Sequence, residues 1–241
     1  MNEFSIFPAG DSAVNVTFAN VVDPQINQFI RILQKELTLK RTNGITALVP
    51  AFRTLTIFYD PEILSFDKLA DMVRTSAAEI KQVTQQNKRI VHIPVCYENE
   101  FSPDMAHVSE HSGLSRKEII ARHTSPDYLI YMLGFLPGFV YLGGLDAKLA
   151  TPRLATPRLA INPGAVGIAG EQTGVYPIAS PGGWQIIGQT PIKLFQPEKE
   201  NPFYYQAGDY IHFDPITVSE FNQIKHLDDE GRYQIKVEEV E

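Results

Sequence analysis

The sequence holds one cysteine, Cys96, so no intramolecular disulfide can form. No apolar run approaches the roughly 20 residues that a membrane-spanning helix needs. The opening MNEFSIFPAGDSA lacks the basic region and apolar core of a secretory signal. Charges of both signs are scattered, the net charge is -7, and no basic run interleaves with aromatics. Nucleic acid is therefore not expected as a partner. These absences lead to the expectation of a cytoplasmic protein that uses no membrane. Catalytic signatures are scarce as well. There is no GxSxG nucleophile turn, no HExxH, and no GK[ST] after the glycines at Gly164, Gly167 and Gly170. His107 and His111 have zinc-compatible spacing, but no set of further ligands accompanies them, so no metal site is expected.

What is present divides into two textures. The 241 residues are 44% hydrophobic, enough for two small cores or one large one. In the first part, AVNVTF alternates with Val14, Val16 and Phe18 on one face. Asp23 before Pro24 reads as an N-cap with proline at the first helical position. Ile26, Phe29, Ile30, Leu33 and Leu37 follow at helical spacing. ITALV and TLTIFY read as strands, and Ser65 caps a second helix carrying Leu69, Met72, Val73 and Ile80. The order β-α-β-β-α predicts a ferredoxin-like α/β sandwich.

The stretch EIKQVTQQNKR turns polar and is taken as the boundary. It gives an N-terminal α/β domain over residues 1–86, a second domain over 87–217 and a C-terminal tail over 218–241. Val91, Ile93 and Val95 open the second domain as a strand, and two short helices follow. The second of these has a capping box, Ser115 with Glu118. From Tyr128 onward, GAVGIAG, VYPI, WQIIG, PIKLF and DYIHF are strand-length pieces separated by turns. That spacing predicts a closed or nearly closed barrel. A short helix near Val218 to Ile224 and a frayed acidic end complete the chain.

Candidate site residues cluster in the glycine-rich part. As a strand, GAVGIAG puts Ala165, Gly167 and Ala169 on one nearly flat face. Such a face admits a ligand or partner, and tight internal packing explains it equally well. Gln172 and Thr173 follow as polar groups suited to a small amide or carboxylate, or as plain turn residues. Phe135, Phe139 and Tyr141 surround Pro137-Gly138, and Trp184, the one tryptophan, follows SPGG. Core packing is the plain alternative for all four. His123 lies at a helix end, where it can interact with the helix dipole or act as acid or base. The duplicated LATPRLATPRLA carries Arg153 and Arg158. A five-residue period keeps them on one face of neither a strand nor a helix, so it reads as an extended connector whose arginines can meet only at a bend.

GFLPGFVYLGGL, TPRLAINPGAVGIAGEQTGVYPIASPGGWQIIGQTP and AGDYIHF resemble one known family, and PAGDSAVNVTF, VPAFRTLTIFYDP, IPVCYENEFSPDM and HTSPDYLIYMLGF extend the likeness over nearly the whole chain. It is the family of the 5-oxoprolinase B subunit, allophanate hydrolase subunit 1 and sporulation-kinase inhibitors. The resemblance implies an α+β chain, with a small N-terminal α/β domain before a cyclophilin-like β-barrel. It implies two partners: a carboxyltransferase-like subunit 2 of related barrel fold, and a third, LamB/YcsF-type subunit. Together these form an enzyme that opens 5-oxo-L-proline to L-glutamate with ATP, and with Mg2+ as the nucleotide's counter-ion. The chain alone is then expected to be inactive. Other members imply inhibition of a sensor histidine kinase, or a urea carboxylase-type component that needs a separate biotin carrier. The resemblance also turns His123, Phe135, Phe139, Tyr141, Arg153, Arg158, Gly170, Gln172, Thr173, Ser180, Gly182, Gly183 and Trp184 into expected members of a pocket or subunit seam. It assigns a catalytic role to none of them. INPGAVG departs from the family's VPAGSVG, so Ala165 offers no hydroxyl.

Overall fold

The computed structural model describes residues 3–80, 88–134 and 136–240. The chain forms two compact units, Met1–Gln86 and Asn87–Glu241. Most of the polar stretch read as the boundary lies outside the described residues. Among the described residues no helix is long and apolar enough to cross a membrane.

The first unit runs β1 (Ser5–Pro8), β2 (Ala13–Thr17), α1 (Pro24–Leu39), β3 (Ile45–Pro50), β4 (Thr54–Tyr59) and α2 (Phe66–Glu79). Its sheet has the order β1-β2-β4-β3, antiparallel throughout. This is a ferredoxin-like sandwich whose fourth strand comes from the start of the chain. That strand, SIFP, is too short and too exposed to show alternation, so the sequence pattern does not reveal it. Asp23 caps α1 by accepting from Gln25 N at 2.7 Å, with Pro24 at the first helical position. The helical stripe Ile30, Leu33 and Leu37 packs with Val14, Val16, Leu55 and Ile57 in one core.

The second unit contains β5 (Lys88–Cys96), α3 (Met105–Ser112), α4 (Arg116–Thr124), β6 (Tyr128–Leu133), β7 (Val140–Gly143), β8 (Arg158–Ile161), β9 (Ala165–Ala169), β10 (Gln172–Val175), β11 (Ser180–Gly182), β12 (Gln185–Gln189), β13 (Tyr210–Ile216), α5 (Val218–Asp229) and β14 (Val237–Val240). Seven strands close a barrel in the order β12-β9-β10-β7-β6-β13-β5, and β5 meets β12 through Cys96 and Gln189. β5 and β13 are parallel; every other described pair in the barrel is antiparallel. Closure removes the exposed sheet edges that an open sheet of short strands would present. β8 and β11 form a separate two-stranded sheet. The capping box at the start of α4 is present, with Glu118 Oε2 accepting from Ser115 N at 2.9 Å.

Three expectations change here. VYPI is not a strand: only Val175, the last residue of β10, is extended in a ladder, and the chain bends at Pro177 and Ile178. PIKLF forms no strand, although Ile192 and Leu194 are buried in the barrel core. Pro191 has no N–H to give a ladder, and the segment bends across the core instead. The tail after residue 217 does not fray. α5 begins with a capping box of Thr217 and Glu220, and β14 pairs along β5 from Val237 opposite Val91 to Val240 opposite Lys88.

Candidate functional site

The glycine-rich strand β9 separates two surroundings. Val166 and Ile168 point into the barrel core. Ala165 and Ala169 belong to an outer cluster with Phe139, Ile161, Tyr176, Trp184 and Ile186. The flat face is thus filled from within the chain. A Cβ on Gly167 would stand 3.2 Å from Trp184 Cβ, and one on Gly174 would stand 2.9 Å from Val140 O and 3.1 Å from the Trp184 ring. The glycines let the indole lie flat on the barrel wall. Phe139 meets Tyr141, Tyr176 and Trp184 edge to face, at 5.2, 5.3 and 5.5 Å between centroids. A side chain on Gly182 would collide with the Tyr176 hydroxyl.

LATPRLATPRLA is a strap laid over this cluster. It is tied at Thr151, whose carbonyl accepts from Gly170 N at 2.8 Å, and at Leu154, whose N–H donates to Gly183 O at 2.7 Å. Its last three residues enter β8, so it is more ordered than a connector; Arg158 pairs with Gly182 of β11 and Ile161 with Ser180. The two arginines converge on Trp184. The Arg153 guanidinium lies 5.9 Å from the ring centroid, and Arg158 Nη1 donates to Trp184 O at 3.4 Å. Their surroundings differ. Arg158 Nη2 donates to Asp104 Oδ1 at 2.6 Å, while Asp104 Oδ2 accepts from Ile186 N at 2.6 Å. Arg158 is therefore a strut that joins the strap to β12 and the start of α3. Arg153 is exposed and meets no carboxylate among the described residues. Of the two arginines, Arg158 is thus committed to a carboxylate, while Arg153, among the described residues, is not.

His123 is elsewhere. It is fully buried inside the barrel, stacked 4.8 Å from Phe213, with Tyr97 on Nδ1 at 2.8 Å and Thr173 on Nε2 at 2.7 Å. Thr173 has one hydroxyl proton and donates it to Gly167 O at 3.0 Å. His123 Nε2–H must then donate to Thr173, and Nδ1 accepts from Tyr97. Burial pushes the His123 pKa down to about 3 and holds the Tyr97 hydroxyl well above its usual value. A neutral imidazole with both nitrogens satisfied and no exposed surface is a packing element. The acid-or-base expectation for His123 is corrected on that ground.

The remaining candidates divide as follows. Gly170 has φ +58 in the β9–β10 turn, whereas Gln172 is the half-buried first residue of β10 and pairs with Ala169, so it belongs to the strand and not to the turn. Ser180 is buried, and its hydroxyl meets no hydrogen-bond partner among the described residues. Gly183 has room beside it, since a Cβ there would meet nothing nearer than 3.7 Å. Phe135 lies outside the described residues. Asp104 and Tyr176 belong to this region and carry no sequence signal of it. Asp104 reads only as part of a helix start, and its role appears once Arg158 reaches it. The β9 strand does not fit a nucleotide's phosphates, because its backbone is paired on both sides and its outer face is covered by Trp184. Among the described residues no three His, Cys, Asp or Glu side chains are placed to hold a metal ion.

Comparison with known proteins adds the wider frame. Residues 4–205 match the family described as carboxyltransferase domain, subdomain C and D. The chain is 40% identical over 232 residues to the 5-oxoprolinase B subunit of Bacillus subtilis (strain 168), covering 92% of this chain and 97% of that one. It is 41% identical over 173 residues to the 5-oxoprolinase B subunit of Escherichia coli O157:H7, covering 71% and 78%. Among solved structures, a conserved uncharacterized protein from Pyrococcus horikoshii is 42% identical, with a TM-score of 0.54 and coverage of 90% and 100%. The K. lactis urea amidolyase shares the fold with a TM-score of 0.83 at 22% identity; the match covers 99% of this chain and 16% of that much longer one. The long motifs, the seven-stranded barrel and these matches agree, and the chain belongs to the family of carboxyltransferase domain subdomains C and D.

Proposed function

We propose that this chain is the B subunit of an ATP-dependent 5-oxoprolinase, which converts 5-oxo-L-proline to L-glutamate. The observation that carries this reading is the 40% identity to a 5-oxoprolinase B subunit over 97% of that protein's length. Opening the lactam adds water across an unactivated amide bond. The ATP and Mg2+ that such an enzyme consumes belong on the other subunits in this reading, because the glycine-rich strand here is packed shut. The contribution of this chain is the strap face, where Arg153 stands exposed beside Trp184 and the Leu159 side chain points to solvent. The partners are a carboxyltransferase-like subunit 2 and a third, LamB/YcsF-type subunit.

The test is reconstitution. The chain purified with both partners should form glutamate from 5-oxo-L-proline and MgATP, and the chain alone should not. An intact complex of all three chains without that activity defeats the proposal. A second reading, as part of a urea carboxylase-type carboxyltransferase, is favoured by the 25% identity to the urea amidolyase of Lachancea kluyveri. It predicts carboxyl transfer with a separate biotin carrier, and the same complex assayed with that carrier distinguishes the two.

A further inference from the structure

A row of alternating charges crosses the outer side of β5, β13 and β14. Along β5 and β13, Val91, Ile93, Ile211 and Phe213 point into the core, so His92, His212 and Asp214 lie on the other face. Lys88 Nζ meets Asp127 Oδ2 at 2.5 Å, and Asp127 Oδ1 meets His212 Nδ1 at 2.7 Å. His212 Nε2 is 3.7 Å from Asp214 Oδ1, and Asp214 Oδ2 is 3.1 Å from His92 Nδ1. His92 Nε2 then faces Glu238 Oε1 of β14 at 3.4 Å, and Lys236 Nζ closes the row on Glu238 at 2.5 Å.

Each imidazole has a carboxylate at both nitrogens. A protonated ring can donate to both. A neutral ring donates to one and turns a lone pair on the other. For His92 this matters most, because the residue is buried and its Nε2 has no hydrogen-bond partner among the described residues. Val237 and Val240 are 38% and 45% exposed, so beyond the packing of Tyr233 and Ile235 and the bond from His92 N to Lys236 O, β14 relies on its ladder to β5 and on this row.

We propose that His92 and His212 form a pH-sensitive latch on the C-terminal strand: protonated, they clamp β14 onto β5, and on losing their protons they loosen it. The other charged groups near the row are already occupied. Arg89 of β5 pairs with Asp209, and on α5, which also packs on β5, Lys225 and His226 pair with Asp229 and Glu230 of the same helix. Glu239 lies opposite Arg89 in the β14 ladder. The Glu238 carboxyl is held below its usual range, by Lys236 first and also by His92. Burial pushes Asp127 up, but hydrogen bonds from Lys88 and His212 outweigh it and leave that carboxyl low. Asp127 and Glu238 are thus held in the charged form at the two ends of the row. The stabilisation is present when the rings are protonated, because only then can each donate to a carboxylate from both nitrogens, and it is lost when they are neutral. Loosening raises the fraction of time that the β5 edge at Lys88 to Val91 is uncovered.

Amide hydrogen exchange on the full chain tests this, comparing about pH 5.5 with about pH 8 after correction for intrinsic exchange. Protection of Val237 to Val240 should fall about fivefold on going to the higher pH, the effect of one partly exposed ion pair. β9 and β10 amides should not change. The fall should vanish in His92→Gln and in Glu238→Gln, the second of which leaves His92 in place should the first disturb folding. Equal protection at both pH values in the wild type overturns the latch, as does a fall that survives unchanged in Glu238→Gln.

Discussion

The two faces of the β9–β10 wall hold residues of the same kinds, yet they serve different ends. Inside, His123, Thr173 and Tyr97 close a hydrogen-bond circuit of buried side chains. Outside, Tyr176, Trp184, Arg153 and Arg158 form a cover whose edge reaches solvent. The difference shows that glycine, aromatic and polar residues in a short run specify close approach. Which side they approach from decides between packing and a surface that a partner or substrate can meet.

The sharpest way to break this comparison is His123→Ala. It opens a cavity and strands two buried hydroxyls, so unfolding stability should fall by about 4 kcal/mol in a denaturant titration. Normal stability with lost glutamate formation in the assembled enzyme would return His123 to the site. Next comes Arg158→Ala. It leaves the nearly buried Asp104 carboxylate without its cation, at a cost of about 2 kcal/mol, since the guanidinium itself is partly solvated. If Arg158→Ala melts like the wild type, the strut is not structural.

A pH experiment sharpens the contrast between the two histidine environments of the barrel. His123 has a folded pKa of about 3, below its unfolded value, so between the two the unfolded chain binds the extra proton. Stability from His123 is complete above the unfolded value and is lost as pH falls toward about 3. The His92 latch runs the other way. Urea midpoints of the wild type should drop from about pH 7 to about pH 5, and the drop should shrink in His123→Gln. The smallest effect is expected at Arg153→Ala, within about 0.5 kcal/mol of wild-type stability. Any loss of activity in that variant is then a loss of contact with substrate or partner, and unaltered kinetics would show the strap face to be idle.

Much of the architecture is legible in the sequence. Alternation in AVNVTF, the helical stripe from Ile26 to Leu37 and the capping pair Ser115 and Glu118 each report a local geometry, and each forms. SIFP goes unread and PIKLF is misread for local reasons as well, one strand being too short to alternate and the other segment being interrupted at Pro191. The candidate site was legible only as a list of residues. Phe139, Tyr141, Trp184 and the two arginines do gather, but His123 and Thr173 turn away from them, and Asp104 and Tyr176 enter unannounced.

The sequence by itself determined the two textures, the order of most elements and the family, because periodicity, caps and long motifs are properties of neighbouring residues. Only the tertiary structure decided the fate of the duplicated LATPR. Two identical pentapeptides gave one arginine bound to Asp104, 54 residues away, and one left over Trp184 in solvent. It likewise sent His123 to Thr173, 50 residues on, and laid the acidic tail against β5. Partners so distant in the chain are chosen by how the barrel closes, and no local pattern encodes that.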